Sequence, residues 1–156
     1  MDSKTETRRE FCAHACYAAA LAALSPILQA CGGSSSPTAP SNISPLPTIA
    51  ATASAAGLVV PVGPNSALSG VGSMALVQAQ GRFFLVAHTG QDAFTALDGT
   101  CTHERCTITG FSNQNYVCPC HGSQFTNSGQ VLNGPAARPL NTFDTRVANN
   151  ELTILV

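Results

Sequence analysis

The chain has 156 residues, a formal net charge of −1, a single lysine (Lys4) and no tryptophan. That length holds one domain plus a short targeting or linker segment and leaves no room for a second catalytic domain. No basic stripe interleaved with aromatic residues occurs anywhere, which argues against a nucleic-acid partner.

Residues 1–10 are polar and carry Arg8-Arg9, and residues 11–30 are rich in alanine and leucine, the pattern of an export signal. About twenty apolar residues can also remain as an uncleaved membrane span, but His14, Gln29 and the Ser25-Pro26 break weaken that alternative. Thr7-Arg8-Arg9-Glu10-Phe11 resembles the twin-arginine signal, which exports proteins already folded around a cofactor. Leu28-Gln29-Ala30-Cys31 resembles a bacterial lipobox, in which cleavage frees Cys31 for acylation; the alternative is an ordinary small-residue cleavage site. Several acyl chains on Cys31 would anchor stably where one chain binds only marginally. The expected location is the periplasmic or extracytoplasmic face of a bacterial membrane, lipid-anchored and exported across the cytoplasmic membrane.

Residues 31–56 shift to Gly, Ser, Pro, Thr and Ala without charge, a composition that cannot build a core and reads as an extended tether. From residue 57 onward short β-rich runs alternate with turn residues. Strands are predicted over 58–62, 74–78, 83–87 and 93–97, with a hairpin turn at Gln80-Gly81-Arg82 and a turn at Asp98-Gly99. Further strands are predicted over 130–132, 141–147 and 152–156, with Asn149-Asn150 suited to the positive φ of a tight turn. No window of ten residues here has a helical period. The expected fold is all-β, with a base from residues 57–98 and 130–156 and a small subdomain inserted at about 99–129. So small a core should lean on a cofactor and a disulfide.

The inserted segment holds the chemistry. Of the seven cysteines, Cys12, Cys16 and Cys31 belong to the N-terminal stretch, and Cys101, Cys106, Cys118 and Cys120 fall within twenty residues. Cys101-Thr102-His103 and Cys118-Pro119-Cys120-His121-Gly122-Ser123 offer two thiolates and two imidazoles as metal ligands. Those four alone could hold a tetrahedral zinc as a non-redox structural module. Zinc leaves Cys106 and Cys120 unexplained, whereas two cysteines and two histidines are the ligand set of a Rieske iron–sulfur centre.

Over residues 57–156 the chain resembles the disulfide-containing Rieske proteins of cytochrome bc-type complexes and related bacterial oxidoreductases. The resemblance implies a Rieske fold with an antiparallel β-sandwich base and one 2Fe-2S cluster per chain. It further implies that Cys101 and Cys118 bind one iron, that His103 and His121 bind the other, and that Cys106 is disulfide-bonded to Cys120. Neutral imidazoles in place of two thiolates lower the cluster's negative charge and raise its potential, which spans about −150 to +300 mV for Rieske centres as a class. A disulfide also demands an oxidising compartment, in keeping with export.

Further roles follow from the same likeness. Ser123 matches a serine whose hydroxyl donates to a cluster sulfur, and Gly134-Pro135 resembles a proline loop that covers the cluster. Phe125 stands where high-potential relatives carry a tyrosine, so one hydrogen bond is lost and the potential should be lower. Glu104 and Arg105 replace the leucine and glycine usual in quinol-oxidising subunits. They form either a charged docking tip for a protein partner or a local surface ion pair. His88 reads as a strand-end histidine, and Arg138 and Arg146 as surface charges. The expected function is electron transfer between larger redox partners, as a subunit rather than a complete enzyme. A quinol to cytochrome c oxidoreductase-like chain leads, with quinol as a further partner. The alternative is the small Rieske subunit of a molybdenum oxidoreductase such as arsenite oxidase.

Overall fold

A computed structural model describes residues 42–156. The export signal with Arg8-Arg9, the acylation site Cys31 and the first part of the tether lie outside the described residues. Fourteen strands and no helix occur among those described, in keeping with the all-β expectation. In chain order they are β1 (Ser44–Pro45), β2 (Thr48–Ala50), β3 (Thr52–Ser54), β4 (Gly57–Pro61), β5 (Met74–Ala79), β6 (Arg82–Gly90) and β7 (Ala93–Asp98). There follow β8 (Gly110–Ser112), β9 (Asn115–Val117), β10 (Gln124–Phe125), β11 (Val131–Asn133), β12 (Thr142–Phe143), β13 (Thr145–Ala148) and β14 (Glu151–Ile154).

Three sheets result, with strand orders β12-β7-β6-β5-β2, β13-β14-β4-β3 and β1-β8-β9-β10-β11. The first is buried on both faces, and the alternation of side chains along its strands shows why. On β5 and β6, Ala75, Val77, Phe84 and Val86 point to one apolar cluster shared with Leu58, Val60, Leu152 and Ile154 of the second sheet. Their neighbours Met74, Leu76, Leu85 and Ala87 point the other way, into a cluster with Tyr116 and Phe125 of the third and with Ile108, which precedes β8. A strand with both faces covered needs apolar residues at every position, and Met74–Val77 and Phe84–Ala87 are such runs.

Tight turns set the register. Gln80 and Gly81 (φ 50° and 74°) join β5 to β6, and Asn149 and Asn150 (φ 52° and 61°) join β13 to β14, both at the expected places. Asn113 and Gln114 (φ 49° and 60°) make a third such turn between β8 and β9 that the sequence did not announce.

Two boundaries need correction. The tether was expected to run to residue 56, but its last part is folded. Within eleven residues β1 pairs with β8, β2 runs parallel to β5, and β3 pairs with β4, so one segment laces all three sheets. The strands are mostly exposed and polar because each sits at a sheet edge. Leu46, 6% exposed, supplies the apolar anchor between β1 and β2. The strand expected in the base at 130–132 is instead β11, an edge of the third sheet paired with β10.

Candidate metal centre

Both motifs sit in six-residue loops built on one plan. The first is closed by a bridge between Thr100 and Thr107, and the second by the pair Val117 and Gln124 of β9 and β10. In the first, the Cys101 N–H donates to the Cys106 carbonyl (2.8 Å) and the Arg105 N–H to the Cys101 carbonyl (3.0 Å). In the second, the Cys118 N–H donates to Ser123 (2.8 Å) and the Gly122 N–H to Cys118 (3.0 Å). This plan needs a left-handed fifth residue, with φ 72° at Gly122 and φ 60° at Arg105. Glycine adopts it freely, whereas a side chain there costs on the order of 1 kcal/mol.

The loops converge. Cys101 and Cys118, each 2% exposed, are free thiols embedded in the apolar cluster between the first and third sheets. The His103 and His121 rings lie outside them, with centroids 5.0 Å apart and planes at 89°, and remain exposed. A disulfide joins Cys106 to Cys120 across the loops, fourteen residues apart in sequence. Burial pushes the Cys118 thiol up, and the facing Cys101 thiol adds to that, while the N–H groups of Cys120 and His121 favour the anion. Two buried sulfurs with amide dipoles aimed at one of them suit thiolates held against a cation, and the imidazoles complete a mixed sulfur and nitrogen donor set.

Surrounding residues divide more finely than the sequence allowed. Ser123 is fully buried, and its Oγ accepts the Ala136 N–H (3.1 Å), which leaves its own proton free to be donated into the centre. Phe125, also fully buried, packs in the cluster that holds Cys101 and Cys118 and brings no donor. Pro135 is exposed; Gly134 and Ala136 make the close contacts of its loop. At Gly134 (φ 96°) a β-carbon would lie 2.6 Å from the Ser123 Cα, so only glycine allows the loop to approach this closely. The Glu104 carboxylate lies 3.9 Å from His103 Nε2 and 3.7 Å from His121 Nδ1. It therefore caps the imidazoles instead of pairing with Arg105. The Thr102 hydroxyl donates to the Arg138 carbonyl (2.7 Å), tying the first loop to the chain beyond the proline loop.

His88 is remote from this site, on β6, where its Nδ1–H donates to the Leu68 carbonyl (2.9 Å) and its ring stacks on Phe94. Among the described residues Tyr116 holds the only fully buried side-chain polar atom without a partner. Nothing in the residue order marks it, because a tyrosine on a short strand reads as core.

A pair of clamped loops, each offering a buried thiol and an exposed imidazole on an all-β base, defines a mixed-ligand metal centre. The match of residues 59–144, more than half of the chain, places it in the Rieske [2Fe-2S] domain family, to which it belongs. Its cofactor is therefore a 2Fe-2S cluster, and the single-zinc alternative falls. The chain is 38% identical over 90 residues to the cytochrome b6-f complex iron-sulfur subunit of Prochlorococcus marinus, covering 55% of this chain and 49% of that subunit. It is 33% identical over 63 residues to the corresponding subunit of Chlorobaculum thiosulfatiphilum, covering 40% and 35%. The chain thus spans half or less of the length of these relatives. The solved plasma membrane Rieske protein of the cyanobacterium Synechocystis PCC 6803 superposes with a TM-score of 0.52 at 33% identity, covering 62% of this chain and 99% of that one.

Proposed function

We propose that the protein transfers electrons through a 2Fe-2S cluster held by Cys101 and Cys118 on one iron and His103 and His121 on the other. The observation that carries this reading is the convergence of two buried thiols and two exposed imidazoles on loops clamped by one disulfide. Such a cluster would supply one-electron redox chemistry. Cys101 and Cys118 would hold it from the apolar side, Ser123 would offer it a proton, and the exposed rings of His103 and His121 would form the edge nearest a partner. The Cys106–Cys120 bond holds the two loops at a fixed spacing, and Phe125 withholds one hydrogen bond, which favours a mid-range potential.

The cellular role proposed is that of a Rieske subunit or carrier in a membrane-associated chain of the quinol to cytochrome c type. Similarity to cytochrome b6-f iron-sulfur subunits supports it. A second reading, the small subunit of a molybdenum oxidoreductase, is favoured by Glu104 and Arg105, which put charge beside His103 where a quinol pocket would want apolar surface. Export by the twin-arginine signal and acylation at Cys31 would place the domain on the extracytoplasmic face; a mature N-terminus at acylated Cys31 is the expected mass-spectrometric result. Mixing the oxidised protein with decylubiquinol tests the role directly. Reduction of the cluster supports the quinol-linked chain, and no reduction by quinol in a protein that dithionite reduces favours the second reading.

A further inference from the structure

A cavity of about 370 Å³ opens against the first ligand loop, touching both Cys101 and His103, and both Arg105 and Arg138 line it. Its remaining charge is Asp98, whose carboxylate accepts the Thr100 N–H (2.9 Å). Among the described residues neither arginine forms an ion pair, and both are exposed. The acid next in sequence, Glu104, is turned to the imidazoles and leaves Arg105 unneutralised. The cavity therefore carries one net positive charge at the edge of the metal centre.

Two features mark it as a built site. Arg105 takes the left-handed position that its counterpart loop gives to Gly122, so the chain bears a conformational cost there with no burial to offset it. The Thr102 hydroxyl bonds to the Arg138 carbonyl and fixes the two arginine-bearing segments to each other, though they are far apart in sequence. A guanidinium offers a planar fork that matches a carboxylate in two-point contact, which an ammonium does not.

We propose that this cavity is a docking socket for a carboxylate on the acidic surface of the protein that exchanges electrons with the cluster, seating that partner against His103. The inference rests on the electron-transfer reading above. Arg105 and Arg138 bind the incoming acid, Thr102 holds them together, and Glu104 on the neighbouring face repels an acid that arrives out of register.

The test uses the dithionite-reduced, cluster-loaded protein and two oxidants of opposite charge, ferricyanide and tris(phenanthroline)cobalt(III), by stopped flow at low ionic strength. In the double variant Arg105→Gln/Arg138→Gln the ferricyanide-to-cobalt rate ratio should fall about fivefold, and added salt should erase the difference. Loss of two positive charges lowers the potential and would by itself speed both oxidants, so a fall in the ratio reports the socket. A hexaglutamate peptide should slow ferricyanide oxidation of the wild type and leave the double variant unaffected. A cycling cluster with an unchanged ratio, or no competition by the peptide, overturns the socket alone. A chain that cannot be loaded with a redox-active cluster overturns the electron-transfer reading beneath it.

Discussion

Replacing Ser123 with alanine separates two tasks of one hydroxyl. Its Oγ accepts the Ala136 N–H at 3.1 Å, and its proton is free toward the metal centre. The first loss strands a buried N–H, which costs about 1–3 kcal/mol of stability. The second removes a hydrogen bond that strengthens as negative charge grows on reduction, by about 1–1.5 kcal/mol. At 59 mV per tenfold for one electron, that difference lowers the potential by roughly 40–65 mV. A redox titration followed by electron paramagnetic resonance reads the second effect, and urea unfolding reads the first. Lower stability with a potential unchanged to within about 10 mV would refute the donor role and leave Ser123 as an anchor for the proline loop. The companion Phe125→Tyr should move the potential upward by a similar amount, and an unchanged or lower value would count against the missing-donor argument.

Cys106→Ser/Cys120→Ser opens a cross-link that spans fourteen residues, so a loss of about 3 kcal/mol is expected in urea, with weaker cluster retention; a loss below about 1 kcal/mol would contradict the clamp. Leu46→Ala should cost about 2–4 kcal/mol if the segment that laces the three sheets belongs to the folded unit, and a near-zero cost would return it to the tether. Tyr116→Phe removes a buried hydroxyl that has no partner and should stabilise by about 1 kcal/mol near neutral pH. Burial raises the Tyr116 phenol above its ordinary value of 10.0, so below pH 10 it adds no pH dependence, and above pH 10 ionisation of the unfolded chain lowers stability as pH climbs. The variant should lose that part of the alkaline decline, and urea midpoints across pH 9–11 that match the wild type would refute it.

The ligand loops were legible because their chemistry demands particular residue types at fixed spacing, and thiols and imidazoles have few other reasons to cluster so tightly. The hairpins at Gln80-Gly81 and Asn149-Asn150 were legible for a similar reason, since glycine and asparagine tolerate positive φ. The turn at Asn113-Gln114 was hidden because, unlike Gln80-Gly81, it has no glycine beside its left-handed glutamine. The strands of residues 44–54 were hidden because edge strands with exposed faces carry no alternation, and their partners lie from 3 residues (Ser54 and Gly57) to 67 residues (Ser44 and Phe111) away. The contacts at the site were hardest to foresee. Nothing in the sequence turns Glu104 toward two imidazoles or sets Arg138 beside Arg105, because both depend on where separate loops meet.

A cluster with two sulfur and two nitrogen protein ligands leaves a signature that pulsed electron paramagnetic resonance of the dithionite-reduced protein can read. A rhombic signal coupled to two histidine nitrogens is expected, with the coupling altered when His103 or His121 is replaced by cysteine. A silent spectrum, or a reduced cluster without nitrogen coupling, would contradict it.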